Sequence, residues 1–223
     1  MADLALLRMT ADMPVISTGI EAELAMLPHL THDLRFVQRR VAGTFRECLA
    51  AQAAANVLQA IPGPRECTHM LISGRFALAD FVPAVLLLAA PAKIRSLHIA
   101  TLGFSKRNIS ALCRLLDVGD IGSLRLLLSH YFKHTSSDIY QFGREELAKR
   151  PRTGFLSVRN HAKILCIKLT DGRSVVIETS ANLRSCKNIE QMATFGDPAL
   201  YRFHVQWIDE LFIRAKRKDQ NGQ

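Results

Sequence analysis

The chain has 223 residues, 48% of them hydrophobic and 22% charged, a balance that suits one ample core or two small ones and excludes a disordered polymer. Its net charge of +9 favours polyanions, nucleic acid or an acidic membrane surface, unless it serves only to keep a basic protein soluble. Five scattered cysteines without a C-x-x-C pair argue against a disulfide framework or a zinc cluster and suit a reducing compartment.

Asp3 stands where a secretory leader needs positive charge, and the longest apolar run, Phe81 to Ala92, is twelve residues long and holds Pro83 and Pro91. A membrane-spanning helix needs about 20 residues, so the run reads as core, and the protein as soluble and cytoplasmic. From Gly19 to about Ala60 apolar residues recur at three- and four-residue steps, through Leu24, Leu27, Leu34, Val37, Val41, Phe45 and Leu49, which is the face of a helix. Ile61-Pro62-Gly63-Pro64 ends this region, because proline lacks the donor a helix needs. The expected division is a helical segment over residues 1–62 and a second domain over 63–223.

Beyond that point strands alternate with helices. Strands are expected at His69–Ser73, Ser96–Thr101 and Ser123–Ser129. Helices are expected through Leu88, over Ser105–Leu116 with Ser105 as N-cap, and over Ser137–Lys149. The alternation predicts an α/β class: a layered α/β/α domain around a mostly parallel mixed sheet, preceded by N-terminal helices. Ala162–Leu169 and Ser174–Glu178 read as strands joined by Thr170-Asp171-Gly172-Arg173, whose Asp-Gly is a hairpin signal. A closing helix over Pro198–Lys218 carries Leu200, Phe203, Trp207, Leu211 and Phe212 on one side. His130 and His134 read as surface histidines, Cys166 as core, and Cys186 as a bystander.

The chemistry concentrates after residue 155. In Asn160-His161-Ala162-Lys163 the histidine and lysine are two apart, so on an extended strand they project side by side. An imidazole beside an ammonium suits attack on a phosphodiester: the ring forms the covalent bond and the cation stabilises charge on the non-bridging oxygens. Ser180 and Asn182 follow at the end of the next strand as donors for phosphate oxygens. The carboxylate of Glu190, in Asn188-Ile189-Glu190, could hold an imidazole in the required tautomer.

The order H-x-K, D-G, S-x-N, N-x-E resembles the motif of the phospholipase D superfamily, usually H-x-K-x4-D, then G-S-x-N, then a downstream N-x-E. The resemblance covers His161 to Glu190 and does not reach the N-terminal helices. It implies His161 as a nucleophile that becomes phosphohistidine, with Lys163 and Asn182 on the phosphate. Ser180 would support them, and Glu190 would orient a histidine. Asn188, Arg159 and Arg184 are the expected accessory substrate contacts. This chain departs from the pattern twice: Lys168 stands where the family has Asp, with Asp171 three residues further on and Glu178 near enough to fill the acidic role, and Thr179 replaces the glycine.

Superfamily sites set two H-x-K strands face to face, one giving the nucleophile and the other the acid. This chain has a single H-x-K, so a homodimer sharing one active site is expected, with a two-fold axis through it. Single-copy relatives of this kind are typically nucleases. Ten Lys or Arg against five acids between Arg144 and Glu190 hold more than half of the net charge, which suits DNA or RNA and no membrane. No metal and no cofactor are expected, since histidine-based phosphoryl transfer needs none. The expected activity is that of a metal-independent endonuclease. The alternatives are a phospholipase or small-molecule phosphodiesterase, or an inactive nucleic-acid-binding protein that kept the fold, for which Lys168 is the best argument.

Overall fold

Two strands of almost continuous apolar sequence lie side by side in the interior of a seven-stranded sheet, because strands covered on both faces need apolar residues on both. They are β2 (Ile94–Thr101) and β3 (Leu124–Ser129). The structure is a computed structural model that describes residues 43–73, 76–184 and 188–220. The helical pattern between residues 19 and 42, and Ser185, Cys186 and Lys187, lie outside the described residues.

The elements run α1 (Gly43–Leu58), β1 (Cys67–Ser73), a 3-10 turn at Leu78–Asp80, α2 (Phe81–Ala89), β2, α3 (Lys106–Asp117), β3, α4 (His130–Thr135), α5 (Ser137–Ala148), β4 (Thr153–Val158), β5 (Ile164–Leu169), β6 (Ser174–Thr179), β7 (Ile189–Phe195) and α6 (Pro198–Gln220). The sheet order is β1-β7-β6-β5-β2-β3-β4. Five strands, β1, β2, β3, β4 and β6, point one way, and β5 and β7 point the other. Only β2–β3 and β3–β4 are parallel pairs. The sheet is mixed, as expected, with more antiparallel pairing than the strand–helix alternation suggested. The reason is local: β5, β6 and β7 follow one another without a crossover helix, and successive strands joined directly pair antiparallel.

Side-chain alternation assigns the two faces. Leu165, Ile167, Leu169, Val175 and Ile177 enter the larger core with Ala54, Ala55 and Leu58 of α1 and the apolar faces of α2 and α3. Ile164, Cys166, Val176, Ala100 and Leu127 lie on the opposite face against Ile208 and Phe212 of α6. This is the layered α/β/α arrangement. The compact unit runs from Glu47 to Gln223, so residues 47–62 sit with the sheet.

Local chemistry explains the element boundaries. Ser105 Oγ accepts from Asn108 N while Asn108 Oδ1 accepts from Ser105 N at 2.9 Å, a reciprocal cap that starts α3. Pro83 lies in the first turn of α2, where a missing N–H leaves no intrahelical bond unmade. The β5–β6 turn needs Gly172 at φ +94°, and its N–H returns to Leu169 O. Phe203, expected on the buried side of the last helix, is 64% exposed, and His204, Ile208 and Phe212 are the buried residues of that face. Among the described residues no helix is long and apolar enough to cross a membrane.

Candidate active site

The expected site residues gather at one end of the sheet, where β2 and β6 end and β5 and β7 begin. His161 and Lys163 lie just ahead of β5 rather than inside it. They are still side by side: Lys163 Nζ is 3.2 Å from His161 Nδ1 and donates to the His161 carbonyl at 3.0 Å. An ammonium has only donors, so in this contact Nδ1 accepts, and a neutral ring carries its proton on Nε2. His161 is exposed, and Lys163 and Ala162 are half-buried, with Ala162 packed against the core beneath α6.

The neighbouring segments are tied to this one through the backbone. Thr179 N donates to Lys163 O at 3.1 Å, which carries the β5–β6 ladder up to the H-x-K segment. Asn160 Nδ2 donates to Thr101 O at 3.3 Å while its Oδ1 accepts from Ala162 N at 2.9 Å. Thr101 Oγ1 accepts from Leu183 N at 3.3 Å. The end of β2 therefore anchors both the loop holding His161 and the loop holding Asn182. Asn160 and Thr101 are the bracing residues that motif reading missed. The signal for Asn160 was present, since an Asn side chain commonly bonds the backbone N–H two residues on, here that of Ala162.

Ser180 and Glu190 meet directly. The Ser180 hydroxyl donates to Glu190 Oε2 and accepts from Gln191 N at 3.1 Å, while Ser180 N donates to Gln191 O. Glu190 thus has Ser180 as its partner here, and among the described residues His161 is not hydrogen-bonded to it. Asn182 sends its backbone carbonyl to Leu78 N at 3.2 Å, and its side-chain Oδ1 is buried with no hydrogen-bond partner among the described residues. A buried amide atom left unpaired costs about 1–3 kcal/mol, which a bound group reaching it would offset. Arg159 follows β4, Arg184 lies two residues beyond Asn182, and Asn188 opens β7; all three are exposed around the same end of the sheet.

The acidic substitutes are engaged elsewhere. Asp171 sits in the hairpin at the far end of β5, bonded to Arg173 N at 3.0 Å and to its guanidinium, which holds the Asp171 carboxyl below the usual range. Lys168, in the family's Asp position, donates to Gly172 O at 2.6 Å and Ser174 Oγ at 3.1 Å and lies over the Tyr201 ring. It braces the hairpin under α6. Glu178 accepts from His204 Nε2 at 2.7 Å, and His204 Nδ1 accepts from the Trp207 indole at 3.1 Å, which fixes that histidine's tautomer. Burial pushes the Cys166 thiol up to about 12, with Glu178 adding to the shift; this is an inert core cysteine. Among the described residues no group of three or more His, Cys, Asp or Glu is placed to hold a metal ion.

No protein-family model matches the chain, and no curated protein matches it by sequence. Among solved structures it is similar to a polyphosphate kinase from Porphyromonas gingivalis, with a TM-score of 0.48 and 9% identity over 64% of this chain and 25% of that one. It is similar to Nuc, a phospholipase D family member from Salmonella typhimurium, with a TM-score of 0.44 and 14% identity over 65% of this chain and 93% of that one. A phosphatidylserine synthase from Haemophilus influenzae Rd KW20 gives a TM-score of 0.41 and 11% identity over 66% and 38% of the two chains. The chain thus spans about a quarter of the kinase's length.

Proposed function

We propose that the chain is a phospholipase-D-type phosphodiesterase, a metal-independent endonuclease that cleaves nucleic-acid backbones as a homodimer. The observation that carries this reading is the contact between Lys163 Nζ and the His161 ring, exposed at the sheet end where Ser180, Asn182 and Glu190 also lie. In the proposed reaction a His161 nitrogen attacks phosphorus, an N–P bond forms and the P–O bond to the leaving strand breaks. A second ring, as imidazolium, gives that oxygen its proton; the neutral ring left behind then takes a proton from the water that hydrolyses the N–P bond and frees His161. Lys163 and Asn182 hold the non-bridging oxygens, and Arg159, Arg184 and Asn188 bind the flanking backbone.

The proton count of the reaction argues for the second copy. The attacking ring must be neutral, with a free nitrogen lone pair, whereas the ring that protonates the leaving oxygen must be an imidazolium, since a neutral imidazole has no proton to give at this cost. One ring cannot be both at once, and the chain has a single H-x-K, so His161 of a second copy supplies the other ring.

Labelled DNA and RNA incubated in excess chelator test the reading. Wild-type protein should cleave one of them without added metal, while His161→Ala should lose cleavage and keep binding, because the chemical step is removed and the basic surface is not. Cleavage by His161→Ala near the wild-type rate, or a strict requirement for Mg²⁺, would refute it.

A further inference from the structure

A cavity of about 440 Å³ lies against α6, lined among others by Ser96, His98, Arg125, Arg152, Gly154, Asp209, Phe212 and Lys216. It opens where β2, β3 and β4 begin, at the opposite end of the sheet from His161. Ser96 pairs with Lys168 of β5, five residues along the chain from Lys163, or about 16 Å at strand rise. The proposed cleavage makes no use of it.

Its walls have three kinds of chemistry. The first is cationic. Arg125 is ion-paired with Asp209 and lies over the Phe212 ring, 5.7 Å from its centroid. Among the described residues neither Arg152 nor Lys216 has an ion-pair partner. Arg152 is also held at φ +58°, in the left-handed region, with its carbonyl accepting from Leu124 N, so its side chain leaves the turn in a set direction. The second is apolar. Phe212 closes on β4 so tightly that a Cβ on Gly154 would lie 2.8 Å from the Phe212 ring, and Ile213 extends this wall. The third is a buried acceptor. His98 is 7% exposed; its Nε2 meets Asp209 Oδ1 at 3.0 Å, and its Nδ1 is buried with no hydrogen-bond partner among the described residues. With Nε2–H donating to the carboxylate, Nδ1 is a lone pair waiting for a donor.

We infer that this cavity binds a phosphorylated small molecule of the nucleoside monophosphate class. Its phosphate meets Arg152 and Lys216, and its flat ring rests on Phe212 and Ile213. The volume falls within the range of small-molecule sites, about 300–1,000 Å³, and an apolar wall with a few convergent polar groups is the usual lining of such a site. A polynucleotide tract would instead ask for a line of cations along an open groove. The inference stands independently of the reaction at His161.

Titration calorimetry on the full chain tests it, with adenosine and guanosine 5′-monophosphates, adenosine, inorganic phosphate and a short single-stranded oligonucleotide as probes. The monophosphates should bind more tightly than adenosine or phosphate alone. A double variant, Arg152→Asn with Lys216→Gln, should weaken them tenfold or more, the scale of a lost charged contact. Asn tolerates the left-handed backbone, and both positions are exposed, so the variant should fold. Unchanged affinity in the double variant, or inorganic phosphate binding as tightly as the nucleotides, would each overturn the assignment. Tighter binding of the oligonucleotide through Arg152 and Lys216 would overturn it in favour of a nucleic-acid contact surface.

Discussion

Replacing Lys163 by Met separates a catalytic cation from a structural one. In the structure the ammonium has two contacts, His161 Nδ1 at 3.2 Å and the His161 carbonyl at 3.0 Å, and both belong to its own segment. It bridges no two elements, and the side chain is half-buried. Losing such contacts should cost about 1 kcal/mol of stability or less, a shift in Tm of about 2–4 °C for a chain of this size. If the ammonium stabilises charge on the transferring phosphoryl group, its loss should cost about 10²–10³-fold in rate, or about 2.7–4 kcal/mol of barrier. The two scales differ enough to be told apart. Cleavage of bis(p-nitrophenyl) phosphate, followed by absorbance and set beside a thermal melt of the same preparation, reads both. A rate within threefold of wild type would refute the role given to Lys163. A melt lowered by ten degrees or more would mean that Lys163 supports the fold, and that the rate loss says nothing about chemistry.

Three further outcomes follow from other parts of the molecule. Binding to DNA or RNA should weaken steeply with salt, because each phosphate contact releases a counterion; a fluorescence-anisotropy titration showing no binding even at low salt would favour a small substrate. Sedimentation should show a dimer, and a strictly monomeric species with full activity at nanomolar concentration would exclude a shared site. Burial holds the His98 imidazole below its ordinary value of 6.5, with the Asp209 carboxylate opposing the shift and Arg125 adding to it. The unfolded chain then binds the proton first, so this group's stabilisation is present above pH about 6.5 and is lost as pH falls toward the folded value. Wild type should lose more Tm than His98→Asn between pH 7 and 5.5, and equal slopes would remove His98 as the cause.

The sequence made the strands with strong periodicity legible. The apolar alternation of Leu165, Ile167 and Leu169 against Ile164 and Cys166 fixes both faces of β5, and Asp171-Gly172 marks the turn that follows. β4 and β7 were harder to see. Thr153–Val158 is an edge strand with every residue half-buried, and Ile189–Phe195 exposes Ile189 and Gln191 while carrying Glu190, so neither shows a clean apolar stripe. The H-x-K, S-x-N and N-x-E segments were legible as residue types, and their common place at one sheet end follows from the strand order. The bonds that position them were not legible. Thr101 lies 59 residues from Asn160 and 82 from Leu183, and no local pattern signals a contact that only the closed sheet creates. The same reason hid the pairing of Glu178 with His204, across 26 residues, which withdraws Glu178 from the acidic role its position suggested.

The departures from the family pattern point the same way once their partners are known. An aspartate at position 168 would face Tyr201 and Ser174 beneath α6, in the place where Lys168 now reaches the hairpin carbonyl of Gly172. That place lies five residues along the chain from Lys163, toward the hairpin end of β5 and away from His161. A change there acts on how the β5–β6 hairpin is held against α6, and only through that strand on the H-x-K segment. The replacement of glycine by Thr179 is likewise accommodated, because its hydroxyl donates to Gln191 O at 2.7 Å and accepts from Ala181 N at 3.0 Å, closing the turn that leads to Ser180 and Asn182. Neither substitution removes a group from the end of the sheet where phosphate would bind. Lys168 thus acts on the hairpin and not on the end of the sheet that holds His161. In the proposed reaction the attacking ring must be neutral and the ring that protonates the leaving oxygen an imidazolium; the imidazolium carries a proton on Nδ1, so the Lys163 contact at that nitrogen has to open in the acid, and the second ring has to come from a second copy.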